Sequence, residues 1–573
     1  LLEKPAPSGG GQATSSGKRA LSKKMKVGIA GVCALILFSA ATVIAVKKGY
    51  LNTIIAKIGL ATTKEDPRLI QLREELGVVD STLEKELDKI RATNEPVTIE
   101  ELAKWGKVPP DNKNAALAFN KIVRPEQAGK DLSQILSMRS ALSRKQGLSI
   151  SDLVYYDQEL MGKVASFVQK YQQYLSELYR LSKTYNLNEH PAWFAQEPVL
   201  YDGVNNEEYE ARSTKVYIKL TGSLGDLAQW VHLSGLQGNT EAAVEGILTM
   251  IFLGRLLDQT TDGHGQHYIY NNVIPRCITA TRRLLMIRTL NPQQLEKLQT
   301  AFNKFNISYI LHRHLICNRC ILITQAELAR NGKAEQAEKM SNFRGRPLRL
   351  PYPEQKNESE HNMDMTLILG VSSKLISLAK EGYPSRYQAQ SGGPLAIKLK
   401  GFWDYMTPTT DEAANSYRAE VELMEEYPEI HLKSDESWKG ETRKIIIKSF
   451  QEIHPKWVRY LFSYTGINKI YGENFMEAAK MELKLQMTKT ALAIERHRWN
   501  NNGKLPEGLD MLTKNDGVLN PPFDPLDSNN KKLKYVILGA NEGYQMTTLY
   551  RAKDFTDGVA KHYTLELNFK KRI

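Results

Sequence analysis

The longest apolar stretch of the chain, residues 27–46, has 20 residues and no charged side chain. At a helical rise of about 1.5 Å per residue, this length matches the ~30 Å hydrocarbon core of a bilayer. Basic residues concentrated before the stretch favour a cytoplasmic N-terminus, with the bulk of the chain outside the cytoplasm. The pattern predicts a single-pass transmembrane helix in the cell membrane. A buried core helix and a cleaved signal peptide, with small residues at Ser39 and Ala41 or at Val43 and Ala45, are the alternatives.

The polar and apolar pattern divides the rest of the chain into regions. Leu69, Ile70, Leu72 and Leu76 share one side of a helix predicted over residues 66–93, which ends before Pro96. The predicted parts are a disordered basic cytoplasmic tail (1–26), the transmembrane helix (27–46), a helical linker (47–107), a helical domain (108–470) and an α+β module (471–573).

The clearest helical pattern lies between Ser151, as N-cap, and Tyr185. Apolar residues recur there at spacings of four and three, as in a heptad repeat. They are Leu160, Val164, Phe167, Tyr171, Tyr174, Leu178, Leu181 and Tyr185. A coiled-coil dimer and a helix packed within a bundle both explain this pattern. The flanking positions show no consistent charge pairing, which favours the bundle.

Other helices are indicated by their capping residues. A helix over 224–236 should end at Gly238, and Asn239 or Thr240 should cap the next one. Asn291 and Pro292 should open a helix that continues towards Leu328. Further helices are predicted over 363–380, 411–426 and 444–462. The fold class is therefore mainly α, a bundle of helical hairpins.

The pattern changes near residue 500. A helix over 473–499 places Met481, Leu485, Thr488, Leu492 and Trp499 on one face. Three short strands follow, over 533–538, 544–550 and 563–569, separated by Gly and Asn turns. This predicts a small α+β module in which the helix lies on antiparallel strands.

Charge and cysteine content exclude some classes of function. The net charge is +13, of which +5 comes from six basic residues against Glu3 in residues 1–26. The remaining +8 is diffuse, which argues against a nucleic-acid partner. Four cysteines are too few for a disulfide framework, and Cys33 lies in the apolar stretch.

Two clusters could carry chemistry. His314, Cys317 and Cys320 share a broad helical face and could bind a metal, although a disulfide with Cys277 or buried core thiols also explain the cysteines. His264 and His267 lie in a polar loop and are the second metal or catalytic candidate. Nucleophile-elbow, zinc-protease and phosphate-loop motifs are absent. We therefore assign no catalytic residue, cofactor or metal site from the sequence.

An ordered series of motifs carries a resemblance to a known module. The series comprises the segments 491–498 (ALAIERHR), 502–509 (NGKLPEGL), 522–525 (PFDP) and 533–535 (LKY). It resembles the C-terminal domain of type II secretion pseudopilins of the G kind. This chain departs from that family in the more than 400 residues between the apolar stretch and the module and in the lack of a Glu within 27–46. Its segment 554–558 also lacks the full set of acids of the family's calcium loop, so we expect the module to bind protein and not calcium.

A wider resemblance covers most of the chain. Residues 108–111 and 114–116, the pair Gly238-Asn239 and the helix from Asn291 are similar to a family of uncharacterised single-pass bacterial envelope proteins. That family has no known activity to carry over. The apolar stretch, the helical spacing and the lack of catalytic motifs predict a membrane-anchored envelope scaffold or interaction protein without evident catalytic activity. The alternative is an extracytoplasmic hydrolase acting on cell-wall or surface polymer. The expected partners are the lipid bilayer and other envelope proteins, with self-association left open and no nucleic acid.

Overall fold

The computed structural model describes a mainly helical chain with a small antiparallel sheet, as predicted. The described residues are 67–106, 108–148, 153–190, 192, 206–257, 268–331, 358–380, 473–512, 533–539, 542–547, 552–553, 560–561 and 564–568. None of the helices in these ranges is long and apolar enough to cross a bilayer. The predicted transmembrane helix 27–46 and the predicted helices 411–426 and 444–462 lie outside the described residues.

Of the α-helices in the described ranges, one set lies before residue 200 and a second set lies after it. The first set is α1 (Pro67–Leu76), α2 (Leu83–Ala92), α3 (Ile99–Lys104), α4 (Ala115–Lys121), α5 (Glu126–Gln146), α6 (Gln158–Lys170) and α7 (Gln172–Thr184). The second set is α8 (Asn206–Leu236), α9 (Thr240–Arg255), α10 (Ile274–Ile287), α11 (Pro292–Asn303), α12 (Ile307–Arg330), α13 (Glu358–Lys380) and α14 (Glu473–Asn500). A π-helical turn, Ile269–Val273, leads directly into α10.

The heptad segment is packed within the bundle. Its apolar residues from Leu160 to Leu181 are buried, and α6 contacts α5 and α8 while α7 contacts α4 and α9. The bundle interpretation is thereby confirmed. The prediction of one continuous helix is wrong, because Tyr171 leaves helical geometry (φ −108°, ψ 17°) between α6 and α7. Asp157 caps α6 by accepting a hydrogen bond from the Leu160 amide, whereas Ser151 lies outside the described residues.

The predicted hairpin of α8 and α9 is confirmed. Gly238 adopts a left-handed conformation (φ +81°) just beyond the end of α8. The Asn239 side chain then caps α9 by accepting a hydrogen bond from the Ala242 amide. Helix α8 begins at Asn206, well before the predicted start at residue 224. The two helices approach closely at Gly246, where an added Cβ would lie 2.6 Å from the Val231 Cγ2 atom.

Helix α11 begins as predicted with a capping box between Asn291 and Gln294. Its predicted continuation towards Leu328 is wrong. The chain leaves the helix after Asn303, and the Asn306 side chain accepts from the Tyr309 amide at the start of α12. Asn306 therefore caps a new helix, and two helices take the place of the single predicted one.

The linker helix predicted over 66–93 is likewise two helices. Gly77, in a left-handed conformation (φ +68°), ends α1, and Thr82 caps α2. Helix α2 contacts α13, and α3 contacts α12. Both partners lie far along the chain, which is why periodicity alone did not indicate these contacts.

The C-terminal helix and strands are confirmed. Helix α14 contacts α10, α11 and α12, and β1 (Lys534–Leu538), β2 (Gly543–Thr547) and β5 (Thr564–Asn568) form an antiparallel sheet in the order β1-β2-β5. A short pair, β3 (Ala552–Lys553) and β4 (Ala560–Lys561), lies between β2 and β5 in sequence. Leu485 and Leu492 are fully buried. The prediction that Trp499 packs on the sheet is wrong, because this side chain is 49% exposed in the last turn of the helix.

Candidate functional site

A cavity of about 370 Å³ lies between α5, α8 and α10. This volume falls in the lower part of the ~300–1,000 Å³ range of small-molecule sites. Most of the lining is apolar or small, as is usual for such sites. These residues are Leu132, Leu136, Gly222, Gly225, Ala228, Val231, Pro275, Ala280, Leu284 and Ile287. The polar lining residues are Arg139, Thr221, Gln229, His232, Arg276, Thr279 and Arg283.

The three helices present one face each to this space. The lining positions on α8, namely 222, 225, 229 and 232, recur at spacings of three and four, and those on α5 and α10 do the same. Gly225 allows a close approach, because a Cβ there would lie 2.8 Å from the Leu132 Cδ2 atom. Leu136, which lines the cavity, is 45% exposed, so the lining extends to the surface of α5.

Arginines are the charged groups of the lining. Arg139 of α5 and Arg283 of α10 are buried, and Arg276 is half-buried. Burial lowers the pKa of Arg139, and the neighbouring Tyr156 opposes this effect. The Arg276 Nη1 atom donates to the Thr221 carbonyl at 2.9 Å, which holds α10 to α8 at the cavity. The π-helical turn that precedes α10 offsets the register of this helix, and such turns are frequent at functional sites.

A buried carboxylate lies on α8 close to the cavity but not in its lining. Asp226 accepts two hydrogen bonds from Arg124, at 2.7 Å from Nε and 3.0 Å from Nη2. Burial raises the pKa of Asp226, and the charges of Arg124 and Arg276 act in the opposite direction. A bidentate pair of this kind satisfies both oxygens of the carboxylate. Among the residues that the structure describes, no carboxylate lines the cavity itself.

His232 and Gln229 add buried polar atoms to the lining. His232 is 4% exposed and Gln229 is 3% exposed. Within the described part of the chain, the two His232 nitrogens and the Gln229 Oε1 atom have no partner at ordinary hydrogen-bond geometry. Burial lowers the pKa of His232 to about 3, Arg139 adds to the decrease and the Val154 backbone opposes it. The imidazole is therefore neutral at physiological pH, and its ring centroid lies 4.3 Å from that of Tyr156, with the two rings tilted at 41°.

The cysteine candidates lie elsewhere, in α12. His314, Cys317 and Cys320 are all buried there, and Cys320 donates through its Sγ atom to the Pro96 carbonyl at 3.2 Å. Burial raises the pKa of the Cys320 thiol to about 12, so it is a protonated thiol. Cys277 is also buried and forms no disulfide with the other described cysteines, which confirms the core-thiol interpretation.

Metal candidates from the sequence are not brought together. Among the described residues, no three His, Cys, Asp or Glu side chains converge in a way that could hold a metal ion. His264, His267 and the acids Asp554 and Asp557 lie outside the described residues.

Sequence reasoning missed the cavity. The signal that could have indicated it is the presence of polar residues at core-facing helical spacings, such as Arg276 and Arg283 seven residues apart on α10. Gln229 and His232, three apart on α8, repeat that signal. Only the packing of three helices shows that these faces meet.

Comparisons with protein-family models, curated proteins and solved structures find no match for this chain. The resemblance of residues 471–573 to a pseudopilin domain therefore stays a prediction. The function has to be argued from the site itself.

Proposed function

We propose that this chain is a membrane-anchored envelope protein without catalytic activity, whose helical body binds a small amphiphilic molecule between α5, α8 and α10. One observation carries the proposal. The cavity is mostly apolar, yet its lining includes His232 and Gln229, whose buried polar atoms lack partners at ordinary hydrogen-bond geometry among the described residues. Unsatisfied buried polar atoms cost about 1–3 kcal/mol each, and a bound molecule with its own polar groups removes that cost.

The lowered pKa of His232 and the lack of a carboxylate in the described lining favour binding over catalysis. A general base works best when its pKa lies near the working pH, whereas burial lowers the pKa of His232 to about 3. No carboxylate among the described residues lines the cavity to act in its place. The extracytoplasmic hydrolase remains the alternative, and its motivating residues His264 and His267 lie outside the described part of the chain.

The location in the proposal rests on the sequence. The uncharged stretch 27–46 and its basic flanks support a single-pass anchor with a cytoplasmic N-terminus. The motif series from residue 491 supports a pseudopilin-like module that binds other envelope proteins. In this proposal the protein is an interaction scaffold whose binding of partners responds to the ligand in the cavity.

Photolabelling tests ligand binding. The full chain in nanodiscs of neutral lipid is exposed to dodecanol and dodecanoic acid, each carrying a photoreactive diazirine, and the labelled peptides are identified by mass spectrometry. We expect labels on α5, α8 and α10. Ala228→Phe, which fills the cavity, should remove them. Ala165→Phe is the matched control, because Ala165 is a half-buried alanine of α6 outside the lining. Equal labelling of these peptides in Ala228→Phe and the unmodified chain would contradict the proposal.

A further inference from the structure

The charges around the cavity indicate the kind of ligand. Three guanidinium groups line it, from Arg139 on α5 and from Arg276 and Arg283 on α10. The lining contains no carboxylate among the described residues. A binding site with cations on two of its helices and no anion in its wall is complementary to a negatively charged ligand group.

Asp226, the buried carboxylate near the cavity, does not supply this negative charge. Asp226 already accepts two hydrogen bonds from Arg124, and its side chain is fully buried while that of Arg124 is 17% exposed. The bidentate Arg124 occupies one acceptor site on each Asp226 oxygen, and Arg276 makes no hydrogen bond to this carboxylate in the described structure. Arg276 therefore interacts with Asp226 through charge at longer range and makes no ion pair among the described residues.

Arg276 keeps donors available for a ligand. A guanidinium has five N–H donors, and the hydrogen bond of Arg276 in the described structure is the one from Nη1 to the Thr221 carbonyl. The side chain is half-buried, so it lies where a ligand could enter with its charged group still close to water. Leu136, a partly exposed lining residue, provides an apolar neighbour for the rest of the ligand.

We infer that the ligand is a single-chain amphiphile with an anionic head, carboxylate or phosphate, which Arg276 binds with support from Arg139 and Arg283. The inference rests on the proposed function. The apolar tail lies against Leu132, Ala280 and other apolar lining residues, and the size of the cavity favours one chain over two. Arginine is suited to this role because its planar fork binds both carboxylate and phosphate oxygens.

Competition against the diazirine probe separates this inference from the proposed function. Unlabelled dodecanoate, dodecyl phosphate and dodecanol share one tail and differ in the head. Neutral-lipid nanodiscs keep surface charge from concentrating the anions. We expect the anions to displace the probe at concentrations about tenfold or more below that of dodecanol, since a charge-assisted hydrogen bond supplies such a factor. The better of the two anions identifies the head group.

Substitutions test whether Arg276 is the source of the preference for anionic head groups. Arg276→Gln should abolish the preference for anions. Continued displacement of the probe by dodecanol in this variant would show that the cavity still folds. Arg276→Lys keeps the charge without the fork and should restore part of the preference. Arg180→Gln removes an exposed arginine of α7 outside the lining and should change nothing.

Two failures are distinguishable. If dodecanol displaces the probe as well as the anions do, or Arg276→Gln leaves the preference intact, the cavity binds amphiphiles but the inference about their charge is wrong. If no probe labels α5, α8 or α10, the proposed function fails and the inference fails with it.

Discussion

Glu95 is a buried acid placed among cations that come from two distant helices. Its carboxylate, 8% exposed, accepts from Arg319 at 3.1 Å, pairs with Lys380 of α13 and lies 3.5 Å from the His312 Nε2 atom. Burial by itself would raise the pKa of Glu95. The neighbouring His312, the hydrogen bond from Lys380 and the charge of Arg319 together outweigh burial and lower the pKa of Glu95 to about 2. The residue thus connects the segment before α3 to α12 and α13.

Glu95→Gln should destabilise the protein by about 3–5 kcal/mol at neutral pH, because it leaves the buried Arg319 cation without its anion. The lowered pKa of Glu95 also predicts a pH dependence. Its ionised form stabilises the fold above the ordinary value of 4.5, and this stabilisation is lost as the pH falls from 4.5 towards about 2.

Thermal unfolding followed between pH 7 and pH 3 checks both parts. The unmodified chain should lose stability below pH 4.5 more steeply than Glu95→Gln does. Glu84→Gln, an exposed acid on α2, is the control and should behave like the unmodified chain. If the unfolding temperatures of the unmodified chain and of Glu95→Gln change in parallel with pH, the ion pairs of Glu95 are not the source of this stability.

At the scale of elements, glycines set how closely the helices around α9 approach. An added Cβ at Gly254 would lie 2.2 Å from the Val273 Cγ1 atom in the π-helical turn. Val273 is fully buried and β-branched, so its side chain has little freedom to move aside. The contact between α9 and this turn therefore depends on the missing side chain.

Gly254→Ala should destabilise the fold by about 1–3 kcal/mol through overpacking, in excess of the gain in helix propensity. Gly162→Ala on α6 is the matched comparison, because a Cβ there meets nothing within 4 Å. That substitution should stabilise by about 0.5–1 kcal/mol. Denaturant unfolding measures both changes, and a stabilised Gly254→Ala protein would contradict the close approach.

At the scale of the whole molecule, the C-terminal elements are joined to the helices before them. Helix α14 contacts α10, α11 and α12, and the Arg282 Nε atom of α10 donates to the Glu566 carbonyl of β5 at 3.1 Å. The Tyr544 hydroxyl of β2 donates to the Ala491 carbonyl of α14 at 3.2 Å. From these contacts we expect the sheet, α14 and the preceding helices to unfold as one cooperative unit.

Leu492→Ala should therefore destabilise more than the C-terminal module. Leu492 is fully buried in α14, and removing such a side chain costs about 2–5 kcal/mol. Hydrogen exchange should show faster opening in α11 and α12 as well as in β2. Trp499→Ala, at a half-exposed position, should have a much smaller effect. Faster exchange confined to α14 and the strands would show that the module unfolds by itself.

Local chemistry explains what the sequence alone determined. Asn239 caps α9 and Asn291 with Gln294 opens α11 through contacts within a few residues, so these boundaries can be predicted from neighbouring residues. The strands β1, β2 and β5 and the buried face of α6 and α7 follow from periodicity for the same reason.

Long-range packing explains what only the tertiary structure decided. Helical spacing defines a face but not its partner, so it could not show that Arg139 and Arg276 line one cavity, 137 residues apart. It could not show that Glu95 pairs with Lys380, or that Trp499 is left 49% exposed. Polar groups become a site only when separate helices meet, and that depends on the whole core.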